Sequence, residues 1–293
     1  MQKINRRTFL GRGAMGLGAA ITLSHMPGLL RAQSQVAQSL PAFIDIPLGF
    51  QTYPIRAMLA KDFAGTLKTM AGFGYKIVEM CSPAGYANSG FGFLANMSAA
   101  DIKSIITDAG LTCPSCHFGF GELTDKLDDR IEFAQQLGLI QMICSTFWLP
   151  ATSGLKDYYD AADKLNKAAE KIKKAGMQTG FHNHEMEFAK LDGELIYDAL
   201  MGRFDPGLVR MQFQTEVINL GYKAATYFEK YPGRFISSHL SDWTAEKKQV
   251  PVGQGVIDWK EFFSAAKTGG VRNFFVEMDF DKFKDSATYI YGL

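Results

Sequence analysis

Four histidines stand at the ends of short apolar runs in this chain: His117, His182, His184 and His239. The runs are strand-like, and side chains alternate along a strand, so His182 and His184 face one side with Asn183 between them. Paired imidazoles at a strand terminus suit metal binding or proton transfer. Acidic residues close two other runs: Glu79 follows Ile77 and Val78, and Glu277 follows Phe274, Phe275 and Val276. A carboxylate at the end of so apolar a run needs a cation or a hydrogen-bonding network. The plainer alternative is a structural ion pair, for which Arg56 and Arg210 are the sequence's candidates.

Apolar runs over residues 48–53, 76–81, 112–118, 139–146, 178–184, 208–214, 235–240 and 273–278 alternate with amphipathic stretches. Leu67, Met70 and Ala71 recur at helical spacing, as do Ile102, Ile105 and Ile106, and Leu165, Ala168, Ala169 and Ile172. Gly74, Gly110, Gly138 and Gly176 fall where a helix would end in a left-handed cap. Eight strand–helix alternations without a break in composition predict a single (β/α)8 TIM barrel over residues 46–293. A doubly wound sheet would carry a Gly-rich turn after its first strand, and Tyr53-Pro54-Ile55-Arg56 has none.

A barrel gathers its C-terminal strand ends at one mouth. That mouth would hold Gln51, Tyr53, Glu79, His117, His182, His184, Gln212, Gln214, Glu216, His239, Asp242, Glu277 and Asp279. The set mixes nitrogen and oxygen donors, as a divalent ion such as manganese, zinc, cobalt or iron requires. Tyr53, Phe118, Phe120, Phe147, Trp148 and Trp243 lie near the same ends and could stack on the face of a bound ligand.

The leader has its own logic. Residues 1–32 contain Lys3, Arg6, Arg7, Arg12 and Arg31 and no acid, and Asn5-Arg6-Arg7-Thr8-Phe9-Leu10 precedes a mildly apolar stretch over residues 14–23. This resembles a twin-arginine export signal, followed by a polar linker at 33–45. It predicts a periplasmic or otherwise extracytoplasmic protein, anchored if the leader is retained, with no other membrane contact. The whole chain has 31 basic and 30 acidic residues, so the part beyond the leader is net acidic and has no electrostatic reason to bind nucleic acid. Its four cysteines, including Cys113-Pro114-Ser115-Cys116, lie in or beside strand-like runs and read as small core residues.

Several motifs together resemble the xylose isomerase-like TIM barrel superfamily, and within it exported proteins of the sugar phosphate isomerase/epimerase type. They are Gly49-Phe50-Gln51-Thr52-Tyr53, Gly74-Tyr75-Lys76-Ile77-Val78-Glu79, Phe181-His182-Asn183-His184-Glu185-Met186-Glu187-Phe188, Tyr231-Pro232-Gly233-Arg234-Phe235, His239-Leu240-Ser241-Asp242, Gly253-Gln254-Gly255-Val256-Ile257-Asp258-Trp259 and Val276-Glu277-Met278-Asp279. The resemblance implies one divalent metal ion held by His182, Gln214, His239 and Glu277. Gln214 stands where the family pattern has Asp, with Glu216 nearby as an alternative ligand. Glu79, His117 and His184, across the mouth from such an ion, are the candidate acid/base groups, and the resemblance implies that Glu277 both ligates and transfers a proton. The family's His-x-Lys-Asp reads His239-Leu240-Ser241-Asp242 here, and the endonuclease branch's Asp/His pair is replaced by Gln249-Val250-Pro251-Val252.

The implied activity is metal-dependent isomerisation or epimerisation of a small carbohydrate, a sugar or keto-sugar derivative, through an enediolate. Export and the absence of clustered Lys or Arg at the strand ends favour an unphosphorylated substrate. The alternatives are an enolisation-driven lyase or hydrolase acting on glycosides, and a non-catalytic exported sugar-binding barrel.

Overall fold

A computed structural model describes residues 46–293; the leader and linker expected at residues 1–45 lie outside the described residues. Eight parallel strands close into a barrel: β1 Leu48–Gln51, β2 Ile77–Cys81, β3 Thr112–Phe118, β4 Gln141–Cys144, β5 Gln178–His182, β6 Val209–Gln214, β7 Phe235–Leu240 and β8 Asn273–Val276. Each strand pairs with its sequence neighbour, and β8 returns to β1 through Leu48 opposite Phe274. The fold is the barrel expected, and the strands match in number and order. Most are shorter than their apolar runs because the backbone leaves the ladder to form the mouth loops: Tyr53, Ser145, Thr146, Asn183 and His184 lie beyond their strands.

The helices form where the amphipathic spacing places them. Phe63–Gly72 buries Leu67 and Met70, Ala99–Asp108 buries Ile102 and Ile106, and Leu155–Lys174 buries Leu165, Ala168, Ala169 and Ile172. Ser98 accepts a hydrogen bond from the Asp101 amide, and Asp258 accepts from Lys260 and Glu261, which satisfies amides that a helix start leaves unpaired. Gly138 ends its helix at φ 89°, a left-handed conformation that costs a side-chain-bearing residue more. Among the described residues, no helix is long and apolar enough to cross a membrane.

Two strand glycines set how closely the barrel packs. A Cβ on Gly49 would stand 2.5 Å from Phe275 Cδ1 and 2.6 Å from Ile77 Cγ1, and one on Gly180 would collide with Ile143 Cδ1. All four cysteines are buried free thiols, as core residues should be, and burial pushes those of Cys113 and Cys144 up to about 12. A Gly49→Val change overfills a site flanked by rigid rings and strands. It is expected to lower unfolding free energy by about 1–3 kcal/mol in a denaturant titration; an unchanged midpoint would contradict the packing described.

Candidate metal and proton-transfer site

At the centre of the barrel, a carboxylate faces a ring of donors. Glu79 on β2 is fully buried, in register with Gln51 on β1 and Ser115 on β3. Its Oε1 accepts from Ser115 Oγ at 2.5 Å and Gln212 Nε2 at 2.8 Å, and its Oε2 accepts from Gln51 Nε2 at 2.8 Å and His239 Nε2 at 2.5 Å. His117 Nε2 stands 3.2 Å from the same Oε2. Neither Arg56 nor Arg210 is the partner. Arg56 lies over the Tyr53 ring and donates to the Tyr53 carbonyl.

His239, at 0% exposure, lies between two carboxylates, since its Nδ1 contacts Glu277 Oε2 at 2.8 Å. Burial alone would lower its pKa, but Glu277 and Glu79 outweigh that and raise it to about 10, so the ring is an imidazolium donating at both ends. Burial would also raise both carboxyls; the imidazole of His117 and that of His239 hold Glu79 well below the ordinary range, and His239 lowers Glu277.

The remaining rings rise from this floor to the mouth. His182 lies 4.5 Å from His239 and 4.9 Å from His117 between ring centroids, His184 lies 4.7 Å from His182, and Trp148 lies 5.4 Å from His184. Burial and the neighbouring imidazoles hold His182 neutral, and burial lowers His184 to about 4. His184 also lines an open cleft of about 650 Å³ with Glu185, Met186, Gln214, Glu216 and Leu220.

The structure therefore brings His117, His182, His184, Gln214, His239 and Glu277 into one region, with Glu79 below them. Gln214 turns its amide nitrogen toward Glu277 Oε2 at 2.6 Å, as a donor. Glu216 lies past the strand in a 3-10 turn at the cleft, and burial together with Glu277 and Glu185 raises it to about 7. Asp242 and Asp279 are not part of this group. Asp242 is a buried staple that accepts from the Gly253 and Gly255 amides and from Trp259 Nε1 at 2.8 Å, while Asp279 is exposed and paired with Lys282. Residue spacing gave no sign of Ser115 and Ser237, whose hydroxyls lie within hydrogen-bond distance of Glu79 and Gln212. Glu187, part of the Phe181–Phe188 motif, accepts from the His184 amide, as a carboxylate three residues into a short helical turn can.

The donor chemistry fits a divalent cation. One nitrogen each from His117, His182 and His239 lies within 4.8 Å of the others, all three residues are buried, and His182 Nδ1 has no hydrogen-bond partner. A buried nitrogen without a partner is costly unless something binds it. A cation bound at a His239 nitrogen would replace a ring proton, and either one offsets part of the charge of Glu79 and Glu277.

Because His239 is held as an imidazolium, its stabilising contribution is complete below the ordinary histidine pKa and is lost as pH rises through about 10. In chelator-treated protein, ring 15N shifts should show His239 still doubly protonated at about pH 8, where an ordinary histidine of pKa about 6.5 is neutral. A neutral ring at that pH would contradict the two-carboxylate geometry.

The sequence profile of the xylose isomerase-like TIM barrel family matches residues 67–288. No curated protein matches the chain. Among solved structures, a sugar phosphate isomerase/epimerase from Parabacteroides distasonis is similar, with 22% identity, a TM-score of 0.73 and coverage of 88% of this chain and 96% of that one. An L-ribulose 3-epimerase shares 14% identity, with a TM-score of 0.57 over 85% of this chain and 86% of that one. The IOLI protein, whose structure has a bound zinc atom, shares 11% identity, with a TM-score of 0.59 over 84% of this chain and 94% of that one. At these identities the structural likeness establishes the fold, and the profile match establishes the family: the chain belongs to the xylose isomerase-like TIM barrel family.

Proposed function

We propose that this protein is a metal-dependent isomerase or epimerase that moves a proton beside the carbonyl of a small sugar. The observation carrying this reading is the grouping of three buried imidazoles with Glu277, which accepts a hydrogen bond from Gln214 on the wall of an open cleft. His182 and His239 are shared by the ligand set implied by motif and by the set that the geometry groups. What supports adding His117 is its nitrogen within reach of theirs, and what supports removing Gln214 is its role as a donor to Glu277. A divalent cation held by His117, His182 and His239 beside Glu277 would polarise the substrate carbonyl and the adjacent hydroxyl.

The residues of the chain do the rest. Glu277 is ionised, and its side chain is 18% exposed, so it can take a proton from carbon and return it. Gln214 and His239 both donate to its Oε2 and fix its direction. His184 is neutral and has an unpartnered Nδ1, so it can accept or return a proton from a second position in the cleft. Two bases at different positions suit epimerisation, in which a proton leaves one face of a carbon and returns to the other, whereas a 1,2-proton shift needs Glu277 alone. Glu79 is fully buried and satisfied by donors, which suits holding His117 and His239 rather than carrying substrate protons. Secretion by the twin-arginine route belongs to the same proposal and rests on the leader sequence.

The test pairs elemental analysis of the purified protein with deuterium uptake into free sugars from heavy water. About one divalent ion per chain and exchange at a carbon next to the carbonyl are expected. Absence of both would remove the proposal. A bound metal without exchange would favour a sugar-binding barrel, the reading that the neutral Gln214 motivates. His117→Ala should lose metal, whereas Gln214→Ala should keep it. Glu277→Gln should lower exchange by about a hundred- to ten-thousandfold. A Glu277→Gln variant with full exchange would assign the proton transfer elsewhere.

A further inference from the structure

The end of the barrel opposite the mouth gathers polar groups of its own. Strand alternation fixes which side chains face the interior there. Arg210 shares a face of β6 with Gln212, Gln141 shares one of β4 with Ile143, and Asn273 shares one of β8 with Phe275. Gln212 reaches Glu79, Ile143 packs over Gly180 and Phe275 packs over Gly49, so all three faces turn inward. Gln141, Arg272 and Asn273 line an open cavity of about 400 Å³ at this end, with Lys173 from the helix Leu155–Lys174.

The charges around this cavity are of one sign. Burial and the nearby charge of Arg272 lower the pKa of Arg210, and among the described residues no carboxylate lines the cavity and neither guanidinium has an ion-pair partner. The amides behind them are unpaired as well. Gln141 is 2% exposed and its Oε1 accepts no hydrogen bond, and the buried Nδ2 of Asn273 donates none. Neighbouring Gln178 shows what a satisfied amide does here, since its Nε2 donates to the Leu208 carbonyl at 2.6 Å. Buried amide atoms without partners are costly unless something binds them. Guanidinium forks and an amide N–H suit an oxyanion, whereas an amide oxygen needs a donor such as a hydroxyl. A carboxylate joined to hydroxyl-bearing carbons meets both demands; a simple anion or a neutral sugar meets one.

We infer that the N-terminal end of the barrel is a binding site for a small hydroxy acid, its carboxylate held by Arg210 and Arg272 and its hydroxyls by the amides of Gln141 and Asn273. The site is separate from the imidazole cluster. Ile143 and Ile236 pack over Gly180, directly before His182 on the inner face of β5, and form an apolar layer between the two ends. The inference therefore stands or falls independently of the proposed reaction.

The test is isothermal calorimetry of the chelator-treated full chain with D-gluconate, D-glucose, acetate and inorganic phosphate at matched ionic strength. D-Gluconate should bind about tenfold more tightly than each of the others. Arg272→Gln should weaken gluconate binding about tenfold, and Arg210→Lys, which keeps the charge and removes the fork, about fivefold. Gln141→Met, of similar shape, should weaken it about fivefold and raise the melting temperature of the unliganded protein, because a buried acceptor without a donor is gone. The side-chain amide NMR signals of Gln141 and Asn273 should shift on adding gluconate. Gluconate binding no tighter than D-glucose, or unchanged in Arg272→Gln, would overturn the site. Phosphate binding more tightly than gluconate would overturn the hydroxy acid assignment in favour of a simple oxyanion. Gluconate binding that survives Arg272→Gln and is lost in His182→Ala would place the acid at the mouth and overturn the inference. Binding lost in Arg272→Gln and kept in His182→Ala would support it, whether or not any sugar exchanges deuterium.

Discussion

The buried carboxylate of Glu79 constrains everything above it. A charge at the centre of a barrel cannot be hydrated, so the fold surrounds it with donors from β1, β3, β6 and β7: Gln51, Ser115, Gln212 and His239, with His117 close by. This arrangement holds His239 as an imidazolium, and the far nitrogen of that ring then fixes Glu277 at the mouth. The line from Glu79 through His239 to Glu277 thus runs from the barrel interior to Gln214 on the cleft wall. Removing one partner would leave the others buried without compensation, which makes the group act as a unit.

The barrel solves a placement problem that no local element could. His117, His182, His239 and Glu277 are spread over 160 residues of sequence, yet parallel pairing puts the ends of β3, β5, β7 and β8 around one axis. Register does the fine placement. Gln214 stands opposite His239 across the β6–β7 ladder, and both reach Glu277. The close contact of Gly49 with Phe275 and Ile77 keeps β1 near β8 and β2, where Gln51 must meet Glu79. Asp242 works at one remove, gathering the loop amides that follow β7.

Much of this was legible in the residues. Eight apolar runs separated by 3.6-period stretches specify a barrel, and histidines at strand ends identify its mouth, because period and position are local properties. What Glu79 does was not legible. Its partners come from separate strands, and only the register shows that Ser115 and Gln212 reach it while Arg56 and Arg210 do not. Asp242 looked like a mouth carboxylate and is instead a loop staple, since strand-end position does not reveal which way a side chain turns. The strained backbone at Thr146 and Trp148 had no sequence signal either, for neither residue type favours positive φ. Gln214 stands where the family pattern has Asp. Its amide nitrogen donates to Glu277, a contact that only the β6–β7 register reveals.

The proposed function requires that imidazole nitrogens of this cluster, rather than an all-oxygen shell, hold a divalent cation beside Glu277. X-ray absorption at the edge of a metal such as Zn or Co added to chelator-treated protein tests it most directly. Three nitrogen scatterers at about 2.0–2.1 Å with the outer-shell signature of imidazole are predicted. A shell of oxygen scatterers alone, or failure to take up the metal, would contradict it.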